Sequence, residues 1–296
     1  MDIETVEKYR LAGKIAREAL KLGVEKIKEN VTLLEVAQYV ERTIYERGAK
    51  PAFPVNIAID NVAAHFTPRE TDSQLKFAKG NVVKLDVGVH VDGFIGDTAM
   101  TVEVGTSNYT DMIKASKEAL EIAIEMLGPG VDLSLVGEAI ENHIKSKGFL
   151  PIENLTGHSL EKYNLHAGIS VPNVKDSKSK KVEAGTVLAI EPFATNGAGH
   201  VDGKKCGNIY RLVRVRPVKT EDAKMLMDGI STHFNSLPFT DRWCGSFTKK
   251  LDESLQILLR AGVISSYPIL RDIGNGIVTQ AEHTVMITTE GCEKLT

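Results

Sequence analysis

The chain has 296 residues, 42% of them hydrophobic and 25% charged, and a formal net charge of −3. That is enough chain for one large domain or two ordinary ones with a real core, and the slight acidity argues against a dedicated nucleic-acid binder. Cys206, Cys244 and Cys292 lie far apart without a Cys-x-x-Cys pair, which argues against a structural zinc site or a disulfide framework and for reduced thiols in a cytoplasmic protein. The charged start MDIETVEKYR lacks a signal-peptide core, and no window approaches a membrane span.

In chain order, Leu11, Ile15, Ala19 and Leu22 first make an apolar stripe at helical spacing. The segment VTLLEVAQYVERTIYERGAKP follows from Val31. Thr32 reads as its N-cap, Glu35 completes a capping-box pattern, and Gly48 ends the helix where a left-handed residue is wanted. Two strand-like runs come next, NVVKLDVGVHV and GDTAMTVEV, joined through the hairpin signal Asp92-Gly93. Ile113, Leu120, Ile124 and Leu127 make a second stripe, and VDLSLVGEAIENHIKSKGFLP starts at Val131 with Asp132 as N-cap and Gly148 as terminator. The two segments match at Val31/Val131, Leu33/Leu133, Val36/Val136, Val40/Ile140, Glu41/Glu141, Ile44/Ile144, Gly48/Gly148 and Pro51/Pro151, at a constant offset of 100 residues. Strand-like GTVLAIEPF and GIVTQAEHTVMIT end the second half. Each half therefore reads helix, helix, strands, and the expectation is a single α+β domain, 1–296, built from two similar halves with a site at their junction. The two strands of the second half are far apart, and the stretch between them includes the helical LDESLQILLRAGVI from Leu251. A helical insertion is expected at roughly 208–268.

Asp86 and Asp97 sit on the two strands of one hairpin, in runs that otherwise read as buried. Glu191 ends the run TVLAI and Glu282 lies inside IVTQAEHTVMI. Buried carboxylates are costly unless paired or bound to a cation, and a cation removes their mutual repulsion. Side chains alternate across a strand, so only one of Glu282 and His283 reaches a site, and Glu282 is the choice. His158, in NLTGHSLEKYNLHAG, offers imidazole nitrogen among glycines. His65 and His166 fall 101 residues apart, each in the loop after its half's repeated helix. The remaining histidines, His90, His143, His200, His233 and His283, read as ordinary solvent or core residues. Four carboxylates and one imidazole suit a pair of divalent ions such as Mn, Fe, Co or Zn, and such a centre serves hydrolysis by activating water. The chain carries no His-Glu-x-x-His and no Gly-x-Ser-x-Gly, and NGAGHVDGKKCG lacks phosphate-loop spacing.

The motifs PAFPVNIAIDNVAAHFTP, KLDVGVHVDGFIGDTA, LTGHSLEKYNLHAG, AIEPFAT and QAEHTV, in that order, resemble the methionine aminopeptidases. The long insertion before QAEHTV resembles their type 2 branch, and the lack of a charged extension before the first helix resembles the archaeal form. The resemblance implies the pita-bread fold, two pseudo-symmetric halves around a dinuclear metal site. It implies metal binding by Asp86, Asp97, His158, Glu191 and Glu282, with Asp97 and Glu282 bridging. Glu191 would shuttle the proton, and His65 and His166 would contact the substrate around the scissile amide. Phe53, Leu165 and Tyr267 would line the methionine pocket. Ile209 stands where some eukaryotic members carry a histidine, so no polar role is implied there. A preference for a small second residue and action on nascent protein N-termini follow, with the ribosome a candidate partner, no membrane and a monomeric state expected. An X-Pro-specific pita-bread peptidase and a non-catalytic pita-bread binding protein are the competing expectations.

Overall fold

The computed structural model describes residues 1–177 and 180–296. The first half runs α1 (Ile3–Lys26), α2 (Leu33–Glu46), β1 (Lys50–Pro51), β2 (Asn56–Ile59), β3 (Val62–Ala64), β4 (Val82–Val91) and β5 (Phe94–Glu103). The second begins α3 (Thr110–Met126), α4 (Leu133–Ser146), β6 (Leu150–Pro151), β7 (Thr156–Ser159), β8 (Ser170–Pro172), β9 (Val187–Ile190) and β10 (Phe193–Thr195). It continues through β11 (Val201–Leu212), α5 (Glu221–Phe234), β12 (Phe239–Thr240), a 3₁₀ turn at Asp241–Trp243, α6 (Leu251–Arg260), β13 (Ile264–Asp272), β14 (Val278–Gln280), β15 (Glu282–Ile287) and β16 (Cys292–Lys294). Helices and sheets together make the α+β class.

The repeat governs local structure. α2 and α4, β1 and β6, and β2 and β7 begin and end at positions 100 residues apart. The first cap is a full capping box: Glu35 N–H donates to Thr32 Oγ1 at 3.1 Å, and Thr32 N–H donates to the Glu35 carboxylate at 2.9 Å. In the second, Asp132 Oδ1 accepts from Ser134 N–H at 2.9 Å.

The nine-stranded sheet has the order β1-β4-β5-β15-β9-β7-β8, with β2 also on β4 and β16 on β15. Its centre is the seam between the halves, where β15 meets β5 with Glu282 opposite Ala99. Alternation divides its faces. Val83, Leu85, Val87 and Val89 of β4 join the apolar core beneath α1 and α2, while Leu188, Ile190, Val285 and Ile287 join the core beneath α3 and α4. α1 comes close because Gly96 faces it: a Cβ there would lie 2.6 Å from Gly13 N. The opposite face of the sheet carries the acids.

The expected helical insertion at 208–268 is helical only in its middle. Residues 208–212 and 264–268 are strand, belonging to β11 and β13, which pair antiparallel inside a four-stranded sheet ordered β12-β11-β13-β3. Only α5 and α6 are α-helix, around an apolar cluster of Leu226, Met227, Ile230, Leu255, Leu258 and Ile264. Among the described residues no helix is long and apolar enough to cross a membrane.

A buried ion pair ties this element to the first half. Arg242 donates from both terminal nitrogens to the Glu41 carboxylate of α2 at 2.8 Å, and Trp243 Nε1–H donates to the same carboxylate at 3.0 Å. The two side chains are 4% and 7% exposed, so removing one partner strands a charge in the interior. Arg242→Met is expected to lower the unfolding free energy by about 3–5 kcal/mol in denaturant titration, and adding Glu41→Leu to recover part of it.

Candidate metal centre

Five strands side by side, β4, β5, β15, β9 and β7, bring one candidate ligand each. Asp86 and Glu282 both lie opposite Ala99 of β5, and Asp97 sits two residues from Ala99, so all three project from one face. His283 pairs with Ile190 and His158 with Ala189. That register places Glu191, which directly follows β9, and His158 on the same face. Neighbouring residues project to the other side: the His283 ring reaches Thr296 Oγ1 with Nδ1 at 3.0 Å.

Asp97, His158 and Glu282 are buried, and they offer ligand atoms within 4.8 Å of one another. His158 Nε2 lies 3.8 Å from Asp97 Oδ2 and 3.5 Å from Glu191 Oε1. Ligand atoms about 2.1 Å from one ion lie roughly 3–4 Å apart, so this spacing suits a shared cation. Asp86 Oδ1, Asp97 Oδ1 and His158 Nδ1 are buried without a hydrogen-bond partner among the described residues. Buried polar atoms are normally satisfied. Anionic oxygen and imidazole nitrogen are the donors a divalent metal of the Mn–Zn series takes, so the residues present fit such a cofactor.

The electrostatics agree. Burial raises Asp86 to about 7. Asp97 is raised well above the carboxylate range by burial and then by the charges of Asp86 and Glu191. Glu191 is raised by burial and then by Asp86, against a lowering hydrogen bond from Gln280. Glu282 is raised by burial and then by Asp97, Glu191 and Asp86. Burial, followed by the neighbouring His166, lowers His158 to about 3. The imidazole is therefore neutral, as a metal ligand must be.

These side chains line one cavity of roughly 480 Å³, its open mouth included, together with Phe53, His65, Leu165, His166 and Tyr267. All ten residues named from the sequence thus meet there. Phe53 reaches the sheet because residue 88 is glycine: a Cβ would lie 2.1 Å from the Phe53 ring. His65 has a left-handed backbone, φ 63°, a strained state that ordinarily marks a constrained site. Its Nδ1 lies 3.2 Å from Pro268 O. A carbonyl only accepts, so Nδ1 carries the hydrogen. Burial lowers the imidazole pKa to about 4, which leaves Nε2 as a lone-pair acceptor near neutral pH. The His166 ring stands 4.4 Å from His158 and 6.3 Å from Tyr267. Its pKa is lowered by burial and then by Arg211.

The cavity also contains Asn56, Ala64, Ile209 and Pro238, and Gln280 stands behind it. Gln280 Nε2 donates to Glu191 Oε2 and Glu282 Oε2, each at 3.4 Å. The sequence reading passed over these amides. One signal was available: Gln280 is two residues from Glu282, hence on its face of the chain.

The sequence profile of metallopeptidase family M24 matches residues 7–289. A methionine aminopeptidase from Methanocaldococcus jannaschii is 46% identical over 295 residues, covering 99% of each chain. Among solved structures, a thermophilic Arx1 superposes with a TM-score of 0.88 at 15% identity, covering 100% of this chain and 91% of that one. The methionine aminopeptidase from Thermotoga maritima gives 0.74 at 22%, covering 100% and 98%. At these identities the two structures speak for the fold, which is the pita-bread arrangement expected from the sequence.

Carboxyls with raised pKa values stabilise the folded chain while protonated, and that contribution is lost as pH rises through the folded pKa, about 7 for Asp86. Metal binding requires the deprotonated forms and so tightens with pH. Calorimetry is expected to show a metal-free protein that loses stability at this site from pH 6 to pH 8. The rise in Tm on adding Mn should be larger at pH 8 than at pH 6.

Proposed function

Since the chain belongs to the methionine aminopeptidases of metallopeptidase family M24, we propose how its own residues release methionine from peptide and nascent-protein N-termini. It is a metal-dependent aminopeptidase, a hydrolase that removes N-terminal methionine. The observation that carries the residue assignments is the convergence of five ligand side chains from five adjacent strands on a cavity with apolar walls.

Asp86, Asp97, His158, Glu191 and Glu282 would hold the divalent metal. When bound, the metal polarises the scissile carbonyl and makes water acidic enough to ionise near neutral pH. Phe53, Leu165 and Tyr267 receive the methionine side chain, an unbranched thioether suited to an apolar pocket. Oε2 of Glu191 accepts from Gln280, which steadies the carboxylate that takes the proton from water and returns it to the leaving amine. Nε2 of His65, the unprotonated nitrogen, accepts from the substrate's backbone N–H. His166 donates to the oxygen on which charge develops. A preference for a small second residue is proposed from the family resemblance.

Nascent chains are the implied substrates. Lys204, Lys205, Arg211, Arg214, Arg216 and Lys219 are exposed with no acid between Asp202 and Glu221, and such a strip attracts polyanions. It supports association with the ribosome; a monomeric state and a cytoplasmic location are proposed alongside.

The metal-stripped protein is to be assayed on Met-Ala-Ser, Met-Leu-Ser and Ala-Pro, with and without Mn or Co. Release of methionine from the alanine peptide alone, absent in Asp97→Ala, is expected. Release from Ala-Pro in its place would move the reading to an X-Pro peptidase, and no release under any metal to a binding protein. His166→Ala is expected to lower kcat about 100-fold, the usual effect of losing one donor at a developing oxyanion, with bound Mn unchanged by elemental analysis.

A further inference from the structure

Asn56 is 5% exposed and lines the metal-site cavity. It sits on β2 directly opposite Asp86 of β4. Cross-strand partners project from the same face with their Cβ atoms about 5 Å apart, so its amide stands beside a metal-binding carboxylate. The orientation of that amide is determined. Nδ2 donates to Pro54 O at 3.0 Å, and turning the amide over would set oxygen against oxygen. Oδ1 is then the free end, buried and without a hydrogen-bond partner among the described residues. A buried acceptor left unpaired is costly and ordinarily has a donor supplied to it.

The donor has a definite source if the chain binds N-terminal methionine as proposed above, and this inference rests on that reading. Three groups leave the first Cα of the substrate. The side chain enters the apolar wall at Phe53, three residues before Asn56, and the carbonyl goes to the acids of β4, β5 and β15. The third group, the α-amine, falls between these two, where Asn56 stands. An amine is rich in N–H donors and carries no competing acceptor when charged. We infer that Asn56 Oδ1 receives the α-amine of the substrate's first residue, which makes it a substrate-binding residue that restricts the site to free N-termini. The acids alone attract any cation. A neutral, rigidly held acceptor adds direction without adding to the repulsion among four carboxylates.

The test uses two small probes that differ only in the amine, methionine and 4-(methylthio)butanoate, titrated calorimetrically into Mn-loaded protein. The native protein is expected to bind methionine more tightly. Asn56→Leu should weaken methionine about tenfold or more, as loss of a hydrogen bond to a charged group does, while 4-(methylthio)butanoate binds as before and bound Mn is unchanged. Equal weakening of both probes in Asn56→Leu, or unchanged methionine binding, overturns the inference. Because binding is read without turnover, failure to release methionine from Met-Ala-Ser counts against the proposed function separately.

Discussion

The structure depends on holding four carboxylates together on one face of a sheet. Burial, and then the charge of neighbouring carboxylates with Asp86 among them in every case, raises the cost of ionising Asp97, Glu191 and Glu282. Carboxylates on loops or long helices would relieve this by swinging apart. On adjacent antiparallel strands they cannot, because the backbone ladder fixes each Cβ and the two helical cores press on the far side. The site is therefore a stored repulsion that a divalent cation relieves, and metal binding contributes to stability as well as to chemistry.

The pseudo-symmetry explains how such a site can be assembled from ordinary parts. β4 and β5 are each ten residues long and continuous. Their counterparts are broken: β9 stops at Ile190 and β10 starts at Phe193, while β14 stops at Gln280 and β15 starts at Glu282. Both breaks flank a ligand. Pro192 cannot donate to a ladder, and Glu191 lies with it in the break between β9 and β10. The short pieces form a second sheet, β14-β10-β6, in which Gln280 lies opposite Phe193. Thr101 Oγ1 brackets it, donating to Gln280 O at 2.6 Å and accepting from Gln280 N at 2.8 Å. Gln280 is thus rigidly placed to steady two ligands from the adjoining sheet, a task for which an isolated side chain would be too mobile.

Much of this was legible because it is written in periodicity. The constant offset of 100 residues placed α2 and α4, and alternation told Glu282 from His283. The edges of the insertion were harder. Pro268 pairs with Cys206 beside a register shift, and Gly203 and Gly207 fall at the shifts within β11; prolines and glycines mask a strand in sequence. Asn56 was illegible for a different reason. An amide in a strand has no chemical signature, and its importance comes from lying opposite Asp86, a register that only the folded chain reveals. Tyr267 was reached through family resemblance alone, since nothing in its neighbourhood separates it from other half-buried tyrosines.

The proposed methionine pocket draws on both the repeated halves, through Phe53 and Leu165, and the added element, through Tyr267. The candidate metal ligands all belong to the two repeated halves. Ile209, Pro238 and Tyr267 come from β11, β13 and the loop before β12. The Tyr267 ring meets His65 at 5.2 Å, so the added element touches the substrate side of the cavity and not its floor. The buried Glu41–Arg242 pair then has a positional consequence beyond stability. It fixes this wall to α2, whose helix packs with α1 on β4, the strand of Asp86. A wall held only by a surface hinge would let the pocket change size with each fluctuation. One seated on a buried bidentate ion pair keeps the apolar pocket in register with the acids, so residues of the wall can vary what is admitted without altering the ladder that holds the metal.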